Sequence, residues 1–465
     1  MRAHPAGPRH ADNLPTPHSS APPVDFAALD PTVWPSTAQR VAGVLTLGGV
    51  AVTQLAEQYQ TPLFILDEHD VRTRARAYVT AFSGVAGRPD GEVSYASKAL
   101  LCRGVARWVA EEGLGIDVCS GGELTVALAA GFPPERITLH GNNKSVAELA
   151  QALEVGVGRI VLDSFYEIER LVELAGRHHI RPKVLIRVTV GVEAHTHEFV
   201  ATAHEDQKFG FSLSSGAAAR AVETVLRSDA LELLGLHSHI GSQIFDTSGF
   251  AVSTHRLVGL LAEMDEAHGI TLAELNLGGG LGIAYVPGDD PALVTDVADQ
   301  LRSIVTAECA AAGLAMPRLC VEPGRALVGP AGVTLYQVGT IKDVDGIRSY
   351  VSVDGGMSDN IRTALYDAEF TCVLANRVSE APAVLSRVAG KHCESGDIVV
   401  SNTWLPADLR PGDLLAVAAT GGYCRSMASN YNLLGRPPLV AVADGKSREL
   451  VRRETIDDLL RLDVG

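Results

Sequence analysis

The sequence predicts an α/β protein in which a (β/α)8 barrel of the TIM type is accompanied by a C-terminal all-β domain. Between residues 60 and 325, short β-like runs alternate with Ala-, Leu- and Glu-rich stretches. That alternation is typical of parallel strands joined by crossover helices. After residue 325 the pattern changes to short alternating segments separated by Gly, Asp and Pro turns, which indicates an all-β module.

Eight β-like runs can be counted in the first region, and eight strand–helix units in one domain imply a closed barrel. The runs are VSYASK (93–98), GIDV (115–118), ITLHG (137–141), RIVLD (159–163), KVLIRV (183–188), LLGLHSH (233–239), ELNLG (274–278) and RLCVE (318–322). Barrels of this type carry their catalytic groups at the C-terminal ends of the strands. Functional residues are therefore expected where these runs end.

Nearly every run does end in a polar residue, which a packed core would not require. These run-closing residues are Lys98, Asp117, His140, Asp163, Arg187, His239, the Gly278-Gly279-Gly280 run and Glu322.

The domain boundaries follow from the same patterns. Residues 1–25 are expected to form a disordered tail, because 1–23 are rich in Pro, Ala and His without periodicity and cannot offset their ordering entropy. The barrel is assigned to 60–325. The segments 26–59 and 326–465 are assigned to one discontinuous β-domain, because VAGVLTLGGVAV before the barrel has the same alternating pattern.

Composition limits the classes of partner. A chain of 465 residues has room for a barrel and a smaller domain, and its formal net charge of −16 disfavours nucleic acid or an anionic membrane. No run approaches eighteen apolar residues, and no signal peptide is recognisable. Seven cysteines without a C-x-x-C pair are typical of reduced thiols, so we expect a cytoplasmic protein with a small-molecule substrate.

Lys98 lies where the first barrel strand should open into the mouth. A lysine at a strand end is most often solvated. The functional alternative is an amine whose pKa is lowered by partial burial, so that it forms a Schiff base with an aldehyde.

The segment Glu322-Pro323-Gly324-Arg325 ends the eighth strand and suits a bound cofactor. A glutamate facing a pyridine nitrogen keeps it protonated, and the ring then withdraws the electron pair left by departing carbon dioxide. The alternative is an ion pair between Glu322 and Arg325. The loop 278–282 (GGGLG) can cradle a phosphate with its backbone N–H groups, but it is not a G-x-G-x-x-G dinucleotide fingerprint.

His237 and His239 alternate on the sixth strand, with Ser242 just beyond them. One interpretation is that the two histidines bind a metal. The other is that a histidine ring stacks on a flat cofactor, with Ser242 on the phosphate of that cofactor. Metal-binding barrels usually carry H-x-H on the first strand, where this chain has a lysine, so stacking is favoured. The segment 195–198 (HTHE) is interpreted as a polar loop, and no metal is predicted.

Two further motifs fall in the β-module. Cys393, beside Glu394, is either a proton donor or a half-buried structural cysteine. Tyr423 contributes to a site or is a buried tyrosine with an ordinary hydrogen-bond partner.

Together these motifs resemble those of the diaminopimelate decarboxylase family over most of residues 40–460. They are Y-A-S-K (95–98), D-V-C-S-G-G-E-L (117–124), H-S-H-I-G-S-Q (237–243), G-G-G-L-G (278–282), E-P-G-R (322–325), C-E-S-G-D (393–397) and G-G-Y (421–423). The resemblance implies a fold type III pyridoxal-phosphate enzyme, similar to alanine racemase and ornithine decarboxylase. It also implies a head-to-tail homodimer with active sites at the interface, to which the β-domain contributes.

The resemblance also implies roles for individual residues. Lys98 holds pyridoxal 5'-phosphate, His239 stacks on its ring and Glu322 faces its pyridine nitrogen. The remaining positions around the phosphate or ring are Ser242, Gly280, Gly324 and Tyr423. Cys393 and Glu394 reach in from the neighbouring subunit, with Cys393 as the catalytic proton donor. The substrate-binding positions are Arg325, Arg362, Tyr366, Glu394 and Tyr423.

The implied activity is that of a carboxy-lyase, which converts meso-2,6-diaminopimelate to L-lysine and carbon dioxide in the last step of lysine biosynthesis. Two arginines suit a substrate carboxylate, because the guanidinium fork pairs with it bidentately. The sequence departs from the family pattern at two motifs. It has G-G-Y where the family usually has G-A-Y, but it keeps Tyr423. It has M-S-D-N-I-R-T-A-L-Y where N-P-R-P-A-L-Y is commoner, but it keeps Arg362 and Tyr366 at the same spacing.

Four alternatives remain open. An ornithine, arginine or carboxynorspermidine decarboxylase would need an acid in place of Arg362, and an alanine racemase an arginine in place of Glu322. A non-catalytic cofactor-binding homologue would lack the lysine or the cysteine. A metal-dependent hydrolase would bind zinc.

Overall fold

The computed structural model describes residues 21–83, 91–192 and 207–465. Its strands are β1 (Gln39–Val41), β2 (Val44–Leu47), β3 (Val50–Ala51), β4 (Leu63–Asp67), β5 (Glu92–Ala96), β6 (Gly115–Val118), β7 (Ile137–Leu139), β8 (Arg159–Leu162), β9 (Lys183–Thr189), β10 (Phe211–Ser212), β11 (Glu232–His237), β12 (Glu274–Asn276), β13 (Arg318–Val321), β14 (Gly332–Val344), β15 (Arg348–Val353), β16 (Cys372–Leu374), β17 (Ala383–Ala389), β18 (Ile398–Pro406), β19 (Leu414–Val417), β20 (Leu439–Ala443) and β21 (Lys446–Val451).

The helices are α1 (Val52–Tyr59), α2 (Glu68–Phe82), α3 (Arg103–Glu111), α4 (Gly121–Ala129), α5 (Val146–Val155), α6 (Phe165–His178), α7 (Ala217–Leu226), α8 (Ser248–His268), α9 (Val294–Ala311), α10 (Arg325–Val328), α11 (Arg362–Tyr366) and α12 (Ile456–Leu460). No helix in the described part of the chain combines the length and the apolar character that crossing a membrane requires. The chain divides into two compact units, one of residues 72–282 and 291–327 and the other of 1–71, 283–290 and 328–465. They are called here the barrel unit and the β unit.

The barrel unit is closed by eight parallel strands in the order β5-β6-β7-β8-β9-β11-β12-β13, with β13 pairing back to β5. Each barrel strand is followed by a helix, α3 to α10 in turn, and the short β10 adds to β9. The strands are apolar in nearly continuous runs because a parallel sheet covered by helices is buried on both faces. All eight predicted β-like runs form these strands, so the predicted fold is confirmed.

Serine caps fix the loops that follow three consecutive barrel strands. Ser120, Ser145 and Ser164 each accept a hydrogen bond from the backbone N–H three residues later, which starts α4, α5 and α6. At Ser145 the side chain of Glu148 bonds back to complete a capping box. Short, capped loops of this kind hold the C-terminal ends of the strands in a defined geometry.

The opposite end of the barrel is closed by an ion cluster at the first residues of its strands. Arg159 of β8 donates to both oxygens of Glu274 at 2.6 Å and to both oxygens of Glu92 at 2.9 and 2.7 Å. Arg318 of β13 lies 3.2 Å from Glu92. A buried guanidinium that is fully paired in this way ties strands β5, β8 and β12 together.

The β unit contains a nine-stranded sheet and a separate three-stranded sheet. The path of the larger sheet is β18-β17-β15-β14-β4-β20-β21, with β19 pairing to β14 and β16. Strands β1, β2 and β3 form the small antiparallel sheet. The hydrophobic core of the β unit brings together side chains from distant parts of the chain, including Trp34, Leu55, Ile65, Ala284 and Val440.

The division of the chain differs from the predicted boundaries at two places. Strand β4 pairs with β14 and β20, so residues 60–71 lie in the β unit and not in the barrel. Residues 283–290, between β12 and β13, also belong to the β unit. The segment VAGVLTLGGVAV forms β2 and β3 of the small sheet and adds no strand to the large one. Most of the predicted tail, residues 1–20, and the 195–198 segment lie outside the described residues.

Candidate active site

Lys98 lies just past the end of the first barrel strand. Strand β5 ends at Ala96, and Lys98 sits in a 3₁₀ turn, Ser97–Ala99, and not in the strand as the run VSYASK suggested. Its neighbours Ser97 and Ala99 are buried whereas Lys98 is exposed. The turn therefore anchors its flanks and leaves the amine free to reach a ligand at the barrel mouth.

Glu322, at the end of β13, is held by donors from two other strands. His237 Nε2 of β11 lies 3.0 Å from one oxygen, and Asn276 Nδ2 of β12 donates to the other at 2.6 Å. A carboxylate has about four lone-pair positions, so acceptor capacity remains. The sequence alternative of a Glu322–Arg325 pair is not what these contacts show, because Arg325 Nη2 donates to Ser242 Oγ at 2.9 Å.

His140 approaches both Glu322 and a second carboxylate, that of Asp117, without hydrogen-bond geometry. His140 Nε2 lies 3.3 Å from Glu322 Oε1 and 3.7 Å from Asp117 Oδ1. Burial raises the pKa of Glu322, but His237 and His140 lower it by more than burial raises it. The net pKa of Glu322 is therefore well below the ordinary value. Burial and then Glu322 raise the pKa of Asp117 to about 7. Burial lowers the pKa of His140, yet the two carboxylates outweigh it and raise the pKa to about 9.

His239 and the glycine loop 278–282 form a second part of the mouth. Gly279 N donates to His239 Nδ1 at 3.3 Å. Burial, together with Lys98 and Arg187, holds the pKa of His239 well below its ordinary value, so this ring is neutral and can stack on a flat ligand. Gly280 has φ +106°, and a Cβ there would lie 2.3 Å from Gly241 O. Only glycine allows the backbone to come this close.

One trio in the mouth has the spacing of metal ligands. Among the described residues, the ligand atoms of His140, His237 and Glu322 all lie within 4.8 Å of one another. The pair weighed from the sequence, His237 with His239, is separated, because His237 turns to Glu322 and His239 to Gly279. Asp163, just past the end of β8, and Arg187, inside β9 and not at its end as the sequence suggested, lie 3.8 Å apart.

In the β unit, Arg362 at the start of α11 is surrounded by aromatic rings. Its guanidinium carbon lies 5.7 Å from the Tyr285 ring centroid, 5.4 Å from that of Tyr366 and 5.6 Å from that of Tyr423. Arg362 is buried, with 7 % exposure, and within the described residues no carboxylate pairs with it. Three tyrosine faces stabilise a cation in the same way that aromatic cages bind ligands, but within the described residues the buried Nε of Arg362 has no hydrogen-bond acceptor.

Buried Asn360 orders this cluster. Its Oδ1 accepts from Arg362 N at 3.3 Å and lies 3.6 Å from Cys424 Sγ, so it links the start of α11 to the G-G-Y segment. Tyr423 has φ +62°, a strained conformation that clusters at functional sites. Gly421 cannot be replaced, because a Cβ would lie 1.7 Å from Val328 O.

Cys393 and Glu394 lie in the loop between β17 and β18. Cys393 is exposed, which removes the sequence alternative of a half-buried structural thiol. Asn432 Oδ1 accepts from Cys393 N at 3.2 Å, and Asp397 accepts from His392 N at 2.7 Å. Glu394 Oε1 accepts from Gly396 N at 3.1 Å. The loop is therefore pinned while its thiol stays accessible.

The structure groups the sequence-predicted residues into three sets. The barrel unit brings together Lys98, His239, Ser242, Gly280, Glu322, Gly324 and Arg325 at one end of its strands. The β unit gathers Arg362, Tyr366 and Tyr423 in one cluster and holds Cys393 and Glu394 in a separate loop.

Sequence reasoning missed Asn276, Tyr285 and Asn360, and it listed His140 and Asp117 only as polar strand ends. Asn276 could have been found, because it is a polar residue inside the apolar run ELNLG.

An exposed amine, an ionised buried carboxylate, a neutral histidine and a glycine cradle at the mouth of a (β/α)8 barrel fit an aldehyde cofactor with a pyridine ring and a phosphate. The fold and the site thus define a barrel-type pyridoxal-dependent enzyme. A family model described as "Pyridoxal-dependent decarboxylase, pyridoxal binding domain" matches residues 68–329.

Full-length relatives identify the family within this class of pyridoxal-dependent enzymes. The chain is 57% identical to the diaminopimelate decarboxylase of Mycobacterium leprae over 100% of both chains, and 58% identical to that of Mycobacterium bovis over 94% of this chain and 98% of the relative. The solved diaminopimelate decarboxylase of M. jannaschii superposes with a TM-score of 0.87 at 32% identity, covering 93% of this chain and 98% of that one. The chain belongs to the diaminopimelate decarboxylase family.

Proposed function

We propose that this protein decarboxylates meso-2,6-diaminopimelate to L-lysine with pyridoxal 5'-phosphate as its cofactor, the last step of lysine biosynthesis. The carrying observation is Arg362, a buried guanidinium that has no carboxylate partner in the described residues. A buried charge without a partner is costly, so its retention indicates a ligand that supplies the missing anion. The distal carboxylate of diaminopimelate is such an anion.

Three barrel residues prepare the cofactor site. Bound pyridoxal phosphate supplies an electron-poor ring that accepts the electron pair left when carbon dioxide departs. Lys98, whose side chain is exposed, would hold the cofactor through its amine. Glu322 is ionised and retains acceptor capacity, so it can accept a hydrogen bond from the ring nitrogen. His239, held neutral, covers one face of the ring.

Backbone amides and Ser242 bind the phosphate in this proposal. Gly280 and Gly324 keep the backbone open to a dianion, and the hydroxyl of Ser242 is oriented by Arg325.

The substrate is selected by charge. Arg362 binds the distal carboxylate with its unused donors, and Tyr366 and Tyr423 fix its orientation from the sides. Holding the distal end places the reacting carboxylate, because loss of carbon dioxide requires that bond to stand perpendicular to the ring. A substrate ending in an ammonium, such as ornithine, would face an arginine and be repelled.

The proton donor comes from a second subunit in this proposal. Cys393 protonates the carbon that has lost carbon dioxide, and Glu394 contacts the substrate, both from the loop of a head-to-tail homodimer partner. The exposure of Cys393 on a pinned loop supports this arrangement. We also place the enzyme in the cytoplasm, because its seven cysteines are all unpaired.

Product analysis tests the substrate. The purified protein, loaded with pyridoxal phosphate, is incubated in turn with meso-diaminopimelate, ornithine, arginine and lysine while carbon dioxide is measured. Release from diaminopimelate alone, with lysine as the product, is expected. Release from ornithine and not from diaminopimelate would assign the chain to its sister activity and refute the role of Arg362.

Subunit mixing tests the dimer. Lys98→Ala and Cys393→Ala each inactivate a different half of a shared site, so a dissociated and reassociated equal mixture should regain about a quarter of wild-type activity. No regain from a mixture that forms mixed dimers would show that Cys393 serves its own subunit.

A further inference from the structure

Glu322 lies at the centre of a buried polar cluster whose outer members have no part in the function proposed above. His237 and Asn276 hydrogen-bond to its two oxygens at 3.0 and 2.6 Å. His140 Nε2 lies 3.3 Å from Oε1 and meets the His237 ring edge to face, with centroids 5.1 Å apart. Asp117 lies behind His140 at 3.7 Å. All five side chains are buried, and they come from five different strands or strand ends.

Charge explains why a histidine occupies the position of His140. Glu322 and Asp117 are two buried carboxylates that raise each other's cost of ionisation, so both can be ionised only with a cation nearby. His140 Nε2 lies within 3.7 Å of an oxygen of each. The other charges facing this cluster are those of Lys98 and Arg187. In the proposed function the amine of Lys98 would be bonded to the cofactor, so it cannot remain the counter-charge of Glu322.

His140 also has a donor to spare. Its Nε2 is buried and has no hydrogen-bond partner in the described residues, although it lies 3.3 Å from Glu322 Oε1. A small rotation of either side chain would turn this ionic contact into a charge-assisted hydrogen bond.

Resting on the proposed function, we infer that His140 is a positioning residue for the cofactor. From the end of β7 it holds the Glu322 carboxylate ionised and aimed at the ring nitrogen of pyridoxal phosphate, and Asp117 anchors it from behind. His237 and Asn276 fix where the carboxylate lies, whereas His140 supplies the positive charge that keeps it anionic. The proton on the ring nitrogen, and with it the electron-withdrawing power of the ring, thus depends on a residue that touches neither cofactor nor substrate.

Two variants and one matched control test this inference. His140→Ala removes both donor and charge, and His140→Gln keeps a neutral donor. The control is His255→Gln, since His255 also pairs with a glutamate, Glu308 at 2.9 Å, but its side chain is exposed on the surface of helix α8. For each protein the readouts are the absorbance spectrum of bound cofactor, the Kd for pyridoxal phosphate, and kcat and KM per cofactor-loaded site.

The expected pattern separates positioning from mere folding. His140→Ala should shift the absorbance of the bound cofactor, weaken its Kd about tenfold and lower kcat by about tenfold to a hundredfold, with KM within about twofold. His140→Gln should recover part of the affinity but keep the shifted spectrum, because its amide carries no charge. His255→Gln should match wild type in every readout.

Two outcomes would overturn the inference. One is a wild-type spectrum, Kd and kcat in His140→Ala. The other is a loss that follows only the fraction of folded protein, with the spectrum and kcat per loaded site unchanged in His140→Gln.

The test also separates this inference from the proposed function. A wild-type protein that binds pyridoxal phosphate but releases no carbon dioxide from diaminopimelate refutes the function, and the spectral shift can still be read. A wild-type decarboxylase whose His140 variants are unchanged refutes the inference alone.

Discussion

Replacing Arg362 by methionine should lower the kcat/KM for diaminopimelate by orders of magnitude without unfolding the protein. Methionine has nearly the same length but neither the charge nor the N–H donors. The lost fork would have made two charge-assisted hydrogen bonds to a carboxylate, each worth roughly 1.5–3 kcal/mol. At about 1.4 kcal/mol for each factor of ten, kcat/KM should fall by about 10² to 10⁴.

The free energy of unfolding of Arg362→Met should not fall along with its activity. Arg362 is a buried cation with no carboxylate partner in the described residues, and only the rings of Tyr285, Tyr366 and Tyr423 offset its desolvation. Its removal relieves that cost, so the free energy of unfolding of Arg362→Met should equal or exceed that of wild type. Loss of activity together with undiminished stability would be the signature of a binding residue.

The assay is steady-state carbon dioxide release from diaminopimelate, with urea unfolding in parallel. Arg362→Lys keeps the charge but loses the fork and should lose about tenfold to a hundredfold in kcat/KM. The matched control is Arg387→Met, since Arg387 lies 5.8 Å from the Tyr350 ring in the same unit and should leave kcat/KM unchanged. An Arg362→Met protein with kcat/KM within twofold of wild type would refute the charge-pairing argument.

Three further predictions concern the thiol of Cys393, the ion cluster around Arg159 at the end of the barrel opposite the mouth, and the buried side chain of His140. Cys393→Ala should lower kcat by about 10² to 10⁴, with cofactor absorbance unchanged, because a proton donor is lost and the cofactor site is not; equal kcat would contradict its role. Arg159→Met should lower the free energy of unfolding by about 3–5 kcal/mol, because buried Glu274 and part-buried Glu92 lose all four hydrogen bonds from Arg159 and keep only the longer contacts of the exposed Arg318. The exposed ion pair of Arg177 should cost under about 0.5 kcal/mol in Arg177→Met. Although burial lowers the pKa of His140, Glu322 and Asp117 raise it from 6.5 to about 9, so its stabilisation is fully present below pH 6.5 and is lost as pH rises through 9. Cofactor-free wild type should therefore lose about 2–3 kcal/mol between pH 7 and 10 relative to His140→Gln. Asp117, with its pKa of about 7, goes from half to fully ionised over the same range. Parallel pH curves would contradict this prediction.

The barrel was predictable because its signals are local. Each strand is a short apolar run followed by a helix, and parallel strands place their C-terminal ends at one edge. The polar run-closing residues Lys98, His239 and Glu322 consequently meet at one mouth, as expected from the order of strands alone.

The β unit was less predictable because its contacts join distant segments. Strand β4 has the same buried, apolar pattern as a barrel strand, and only its pairing with β14 and β20 assigns it elsewhere. Tyr285 lies between two barrel strands in sequence yet packs against Arg362. Neither assignment is encoded in local periodicity, because both are decided by which surfaces bury together in the fold.

The roles of His140 and Asp117 were unpredictable for a related reason. A polar strand end shows that a side chain faces the mouth, but not which neighbour it meets. The 3.3 and 3.7 Å approaches that give His140 its charge depend on the stagger of β6, β7 and β13 around the barrel.

The measurement that tests the central claim most directly is the absorbance of the cofactor-loaded protein and of Lys98→Ala, followed by carbon dioxide release after addition of meso-diaminopimelate. Wild type should show the long-wavelength band of lysine-bound cofactor and release carbon dioxide, and Lys98→Ala should show neither. A wild-type protein without the band, or a Lys98→Ala variant that still releases carbon dioxide from diaminopimelate, would contradict the account.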